Sequence, residues 1–437
     1  MNERRTALDA LLACRRDGAW IDGALKAAIA RDGLNSRDAA LASELAYGVV
    51  QNRALLDFYL AQLLTGKIKD LQPILRDILH IGLYQLYFLD KIPDSAAVNE
   101  AVELAKTYGK KQRNSPALVN GVLRAAIRSR GTLREPKGWA EKYSHPQELI
   151  DRLIADYGRE KVLPMLIADN CAPKTVVQVN TLKISTPALL AVLDGEGIAA
   201  EAHPWMPDCL ILGGTGSLEQ RESFRRGLYC VQDCAARLSV LCAGLEPGMQ
   251  VLDCCAAPGG KSFAAAIAMR DSGGILSCDI YENKVRALTA AAQRLGLASV
   301  DARVQDASAE NPAFLGRMDA VLCDVPCSGY GIIRKKPDIR YKKLAQTEGL
   351  PALQLAILRQ QAKYLKPGGV LIYSTCTLLK RENEAVVEAF LQDNPRFSLE
   401  KLPLPAAFPA DSGGMLTLMN GEMDTDGFFI SRMRRNA

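Results

Sequence analysis

Val251-Leu252-Asp253-Cys254-Cys255-Ala256-Ala257-Pro258-Gly259-Gly260-Lys261 is the stretch that most limits what this chain can fold into. A short apolar run ends on an aspartate, turns through a proline and two glycines, and feeds an alanine-rich helical pattern from Ser262. A strand passing through a glycine turn into a helix opens a doubly wound α/β domain. Glycine lets the backbone turn tightly and lets a ligand approach it. The helix start offers unpaired N–H groups to a polar ligand. The turn lacks a Walker lysine pattern, which disfavours phosphate binding. The turn alone suggests a bound nucleotide or nucleoside and does not say which. The acids at the next strand ends favour a nucleoside cofactor such as S-adenosylmethionine over ATP or NAD.

From about Gln232 the α/β texture is regular. Strands are expected at Met249–Cys254, Ile275–Cys278, Ala302–Val304, Ala320–Cys323 and Val370–Ser374. Helices are expected at Glu282–Leu295 and Pro351–Leu365, the second stopped by Lys366-Pro367-Gly368-Gly369. Alternating strands and helices give a parallel sheet whose ligands sit at the carboxyl ends of the strands. Asp253 and Asp279 end the first two strands, and Asp306 follows the third. Asp279 lies 20 residues after Gly259, a spacing suited to ribose hydroxyls. Asp306 is placed to reach a base edge.

The fourth strand ends in Asp324-Val325-Pro326-Cys327-Ser328-Gly329, the fifth in Tyr373-Ser374-Thr375-Cys376-Thr377. Two cysteines and an aspartate therefore meet at strand ends. The only histidines are His80, His145 and His203, so the acid, base or nucleophile of a catalytic α/β region is Asp, Glu, Cys or Lys. Carbon 5 of a pyrimidine is a poor nucleophile. A thiolate added to carbon 6 makes it enolate-like and able to attack an electrophilic methyl. Asp324, its pKa raised in a closed pocket, would assist at nitrogen 3, and the second cysteine would assist release. Cys254 and Cys255 belong to the first strand and turn and are expected to pack.

The 437 residues, 48% hydrophobic and 24% charged, suit a soluble chain of two or three domains. Twelve cysteines without a secretion signal or a C-x-x-C pair argue against disulfides and structural zinc. No apolar run is long enough for a membrane helix. The cytoplasm is the expected compartment, with no membrane partner and no metal. Residues 1 to about 130 have helical periodicity, with Ser115-Pro116 as an N-cap and first-turn pair and a central helix around Ile74–Phe88. A polar linker at 129–144 and a small α+β region follow, with strands at Thr175–Val179 and Cys209–Leu212 and a helix from Thr186 to near Gly195. Lys106–Lys142 carries ten Lys/Arg against two acids, and Arg334-Lys335-Lys336 continues into Arg340, Lys342 and Lys343. Two basic runs suggest nucleic acid, with Tyr330 and Tyr341 placed for base stacking.

Asp253–Lys261, Asp324–Gly329, Ser374–Thr377 and Gly427-Phe428-Phe429 together resemble the RsmB (Sun/Fmu) family within the NOL/NOP2/sun RNA cytosine-5 methyltransferases. Val98–Val102 and Leu118–Arg124 resemble the helical fold of the antitermination factor NusB. The resemblance implies a multidomain protein. It comprises an all-α NusB-like RNA-binding bundle over 1–140, a small α+β (ferredoxin-like) unit over 141–230, and an α/β Rossmann-like class I methyltransferase domain over 231–437. It makes Cys376 the nucleophile and Cys327 the residue that aids release. It assigns Cys255, Ala256, Ala257, Pro258, Gly259, Gly260, Lys261, Asp279, Asp306 and Asp324 to S-adenosylmethionine. It implies 16S ribosomal RNA as substrate, free or in an early assembly particle, and a monomeric enzyme. Where the family has Arg-x-Asn-Thr, this chain has Gln178-Val179-Asn180-Thr181. Three alternatives stay open: a transfer RNA substrate, Cys327 as nucleophile, and a non-catalytic assembly factor.

Overall fold

A computed structural model describes residues 2–109, 114–214, 216–408 and 413–436. Lys110, Lys111 and Arg113 of the first basic run lie outside the described residues. The chain divides into two compact units, one of residues 1–171 with 333–342, the other of 172–332 with 343–437. The expected boundary at 140 therefore falls inside the first unit.

The first unit is helical: α1 Glu3–Asp17, α2 Ile21–Asp32, α3 Ser36–Gln51, α4 Arg53–Leu63, α5 Pro73–Phe88, α6 Asp94–Tyr108, α7 Ser115–Arg128, α8 Trp139–Lys142, α9 Gln147–Tyr157 and α10 Arg159–Ala168. Helix α5 is central because its apolar residues leave no polar face. Leu75, Ile78, Leu79, Ile81 and Leu83 are all fully buried. Helix α3 approaches it at Gly48, where a Cβ would sit 2.0 Å from the Tyr84 ring. The cap of α7 is displaced from its expected place. Asn114, at φ +62°, is the N-cap, and Ser115 is the first helical residue, its hydroxyl donating to Gly109 O at 2.7 Å.

Ile333–Lys342 belongs to this helical unit and takes part of the second basic run out of solvent, while Lys336 and Lys343 stay exposed. Arg340 is fully buried. Its guanidinium donates to Gln51 O (2.8 Å), Asn170 Oδ1 (2.9 Å), Tyr143 O (3.2 Å), Asp169 O (3.2 Å) and Ser144 O (3.4 Å). Tyr341 donates to Val50 O at 3.0 Å and carries the Arg53 guanidinium on its ring face. Tyr330, in the second unit, is also fully buried. These residues are spent on packing and are not surfaces for phosphates or bases. A planar cation can be buried this way because five carbonyl oxygens replace its water.

The second unit opens with β1 Thr175–Val179, α11 Thr186–Gly195, β2 Ala199–Ala202, β3 Cys209–Gly213, α12 Glu222–Arg225 and β4 Tyr229–Val231. The strands form an antiparallel sheet in the order β2-β3-β1-β4. Gln178 is buried in it, its Nε2 3.4 Å from Asp208, which is ion-paired with Arg237. Position 178 is thus inside the fold and not part of an RNA-facing surface. Asn180 Nδ2 donates to Gly227 O and to Leu295 O, the latter 115 residues further along the chain.

The rest comprises α13 Cys234–Ala243, β5 Gln250–Asp253, α14 Gly260–Ala268, β6 Gly274–Asp279, α15 Glu282–Leu295, β7 Val300–Val304, β8 Met318–Asp324, α16 Leu350–Ala362, β9 Leu365–Thr375, α17 Glu384–Asp393, β10 Phe397–Leu399, β11 Met415–Leu418 and β12 Phe428–Arg435. The sheet order is β10-β12-β9-β8-β5-β6-β7, with β11 also on β12. Strands β5 to β9 are mutually parallel, and β12 is antiparallel to β9. Lys366-Pro367-Gly368-Gly369 does not stop α16, which ends at Ala362. It lies inside β9, where four residues between Leu365 and Val370 oppose the single Asp319 of β8. The ladder skips there, so Pro367 costs no hydrogen bond. No helix among the described residues is long and apolar enough to cross a membrane.

Candidate active site

The chain leaves β5 on one side to form β6 and later returns on the other side as β8. That reversal opens a crevice at the carboxyl ends of these strands.

The glycine turn follows β5. Gly259 has φ +110°, and a Cβ there would lie 2.3 Å from the Phe263 ring, so only glycine fits. Asp253 is fully buried and accepts from Ser262 Oγ at 2.7 Å, which accepts in turn from Ser277 Oγ at 2.8 Å. Burial pushes its carboxyl up to about 6, against the lowering effects of Ser262 and Lys261. Its Oδ1 and both amide atoms of buried Gln232 have no hydrogen-bond partner in the structure. Gln232 stands beside Gly260, whose Cβ would lie 3.3 Å from Nε2. Unspent polar atoms facing the turn are what a polar cofactor tail requires. Sequence reasoning missed Gln232 because nothing in its neighbourhood marks it.

Asp279 ends β6 and accepts from Tyr281 N at 3.1 Å, with Lys284 Nζ 3.5 Å away. Ile280 and Tyr281 beside it expose more than half of their side-chain-bearing surface, 54% and 58%. An apolar pair left in water next to an acid suits a nucleoside, ring on the apolar side and hydroxyls on the carboxylate. Asp306 lies beyond β7 in an exposed turn, where its Oδ1 accepts from Ser308 N (2.8 Å) and Ser308 Oγ (2.7 Å).

Cys327 and Cys376 meet with their Sγ atoms 3.3 Å apart. They come from the loops after β8 and β9, which are parallel and paired as far as Asp324 and Ser374. The proximity of the Cys376 side chain, together with burial and the charges of Glu382 and Asp324, pushes the Cys327 thiol well above its usual range. Asp324 is held on both oxygens, by Lys261 Nζ at 2.6 Å and Ser374 Oγ at 2.8 Å. The carboxyl expected to assist at nitrogen 3 thus sits in an ion pair. Lys261 also lies 5.3 Å over the Phe428 ring. Burial pulls its ammonium down, but Asp324, Asp253 and Cys376 together hold it up. The lysine of the glycine turn therefore points at Asp324, within electrostatic reach of Cys376. Cys254 and Cys255 have sulfurs 3.9 Å apart, and both thiols are raised, with Cys254 in the apolar core. Among the described residues no cluster of His, Cys, Asp and Glu could hold a metal ion.

The family model described as 16S rRNA methyltransferase RsmB/F matches residues 241–434. The NusB family model matches 1–128, and the RsmF/B-like ferredoxin-like domain matches 145–219. A Bacillus subtilis protein named probable ribosomal RNA small subunit methyltransferase B is 36% identical over 99% of this chain and 98% of its own. The chain belongs to the RsmB/F methyltransferase family. A Vibrio cholerae family member, ribosomal RNA small subunit methyltransferase B, is 33% identical over 99% of this chain and 97% of its own. The crystal structure of NSun6 from Pyrococcus horikoshii with SFG shares the fold, with TM-score 0.59 and 21% identity, over 67% of this chain and 98% of that one. The family comparison agrees with an all-α first part, a small ferredoxin-like domain and a methyltransferase domain with a mixed sheet.

Proposed function

We propose that this RsmB/F family member transfers a methyl group from S-adenosylmethionine to carbon 5 of a cytidine in 16S ribosomal RNA, through a covalent adduct of Cys376 with carbon 6. The observation that carries this reading is the 3.3 Å Cys327–Cys376 pair beside the Lys261–Asp324 ion pair. The cofactor is S-adenosylmethionine, which supplies an electrophilic methyl when bound. The glycine turn, Gln232, Asp253, Asp279 and Ile280 would hold it, and their unpartnered polar atoms and exposed apolar surface fit its chemistry.

In this reading Cys376 adds to carbon 6 as the thiolate. Asp324, already receiving two donors, is an acceptor complementary to the exocyclic amine of cytosine. Lys261 supplies the positive charge beside it, where negative charge builds on the ring as the adduct forms. Carbon 5, made enolate-like, takes the methyl. Its proton then passes to water, the electrons of that bond restore the carbon 5–carbon 6 double bond, and Cys376 departs as the thiolate, with Cys327 close enough to assist that release. The target base must leave its stack to reach a thiol at a strand end.

The helical unit supports an RNA substrate through exposed Arg124, Arg128, Arg130, Arg134, Lys137 and Lys142. The test is methylation of 16S and transfer RNA with labelled cofactor, followed by digestion to nucleosides. Label in 5-methylcytidine from 16S RNA is expected. Label in any other nucleoside, or only from transfer RNA, overturns the proposal.

A further inference from the structure

Behind the two cysteines lies a dipeptide that the reaction scheme does not use, Glu382-Asn383. It links a short 3-10 turn, Lys380–Glu382, to the start of α17. Both residues are fully buried, and each reaches a different cysteine loop.

Glu382 Oε2 accepts from Ser328 N at 2.9 Å, the amide that follows Cys327. It also accepts from Gln354 Nε2 at 3.0 Å, and Gln354 Nε2 donates as well to Pro326 O at 2.9 Å, the carbonyl that precedes Cys327. Cys327 is therefore gripped on both flanks by one carboxylate and one amide. Asn383 does the same for Cys376. Its Oδ1 accepts from Thr375 Oγ1 at 2.6 Å, and its Nδ2 donates to Thr377 O at 3.0 Å. Ser328 Oγ and Thr377 Oγ1, 2.6 Å apart, close the frame between the loops. Tyr373 fixes the dipeptide from below, its hydroxyl donating to Glu382 O at 2.5 Å.

A buried carboxylate is costly unless its bonds are needed. Two neighbouring residues at the end of a 3-10 turn, each flanking a different reactive thiol, are more than packing demands. We propose that Glu382 and Asn383 are positioning residues, which hold Cys327 and Cys376 in register and serve different steps of the reaction. This rests on the functional reading above. Asn383 sets the approach of Cys376 to carbon 6, and so governs adduct formation. Glu382, through Ser328 N, sets Cys327 against the adduct, and so governs its release. The negative charge of Glu382 also adds to the forces that hold the Cys327 thiol protonated.

The experiment compares Glu382→Ala, Glu382→Gln and Asn383→Ala with Cys327→Ala and Cys376→Ala in the full-length protein. Readouts are kcat, the KM for RNA and for cofactor, and the protein–RNA adduct that survives denaturing electrophoresis. Glu382→Ala is expected to lower kcat at least tenfold at unchanged KM while adduct accumulates, as in Cys327→Ala. Glu382→Gln retains an oxygen for Ser328 N and is expected to recover most of the turnover. Asn383→Ala is expected to lower kcat without accumulated adduct, as in Cys376→Ala. If Glu382→Ala is insoluble, Gln354→Leu tests the same arm and must also accumulate adduct. Wild-type turnover in these variants, or equal defects in both arms with raised KM, overturns the proposal. If Cys327→Ala itself accumulates no adduct, the functional reading fails instead, so the two failures are distinguishable.

Discussion

Replacing Asp253 by Asn tests the reasoning about the glycine turn where it can be measured as stability. The Asp253 carboxyl is wholly buried, accepts one side-chain hydrogen bond from Ser262, and is raised from 3.8 to about 6. A carboxyl whose folded value exceeds its unfolded value adds stability that is complete below the unfolded value. That stability is lost as pH rises through the folded one. The window is therefore from about pH 4 to just above 6. A gap of about two pH units, at about 1.4 kcal/mol each, makes the cost of ionising Asp253 in the folded state about 3 kcal/mol. Asparagine keeps an oxygen for Ser262 and cannot ionise. Guanidinium unfolding of both proteins without cofactor, from pH 4 to 8, isolates the effect as a difference, since every other group titrates alike. The variant should gain about 2.4 kcal/mol on the wild type between pH 4 and 7, the first few tenths of the full cost being already present at pH 4. A difference that stays flat within about 0.5 kcal/mol across this range would refute the argument that desolvation dominates at Asp253.

Three other outcomes follow from the geometry. Lys261→Met removes a charge-assisted bond of about 2 kcal/mol from Asp324, so kcat/KM should fall about 30-fold. Steady-state methylation checks this, and near-normal activity would exclude Lys261 from the site. Arg340→Met strands carbonyls of Gln51, Tyr143 and Asp169 inside the helical unit. At about 1–3 kcal/mol for each unsatisfied group, a loss of at least about 3 kcal/mol is expected, read by thermal melting. The Cys327 and Cys376 sulfurs are close enough that hydrogen peroxide should oxidise them to a disulfide and water with loss of activity. Dithiothreitol should restore it, and mass mapping of the 327–376 bridge checks the assignment.

The features legible in the sequence were those that local pattern encodes. Helix α15 is legible at its observed bounds because an amphipathic run ends in Gly296, which takes the left-handed cap conformation at φ +73°. The cysteines and strand-end acids were found because parallel strands place their terminal residues together. Strand β2 is not legible because Ala-Ala-Glu-Ala carries no β-branched or aromatic residue and is mostly exposed. Strand β4 has only three residues. The Lys366–Gly369 segment has the composition of a helix stop, and only its partner strand shows that it is a skipped stretch of ladder. Arg340 and Tyr341 looked like surface charge and a stacking ring because their partners lie 170 to 291 residues away in sequence. Lys261 and Asp324 are 63 residues apart, and no spacing rule connects them. Tertiary pairing decides such features.

The central claim is that Cys376 is the nucleophile. The direct test is to incubate the wild-type protein and S-adenosylmethionine with 16S RNA containing 5-fluorocytidine. Fluorine at carbon 5 cannot leave as a proton does, so the adduct is trapped. Proteolysis and mass spectrometry then locate the nucleotide on the protein. The account predicts the modification on the peptide bearing Cys376 and none on that bearing Cys327. Modification at Cys327, or no covalent adduct at all, would contradict it.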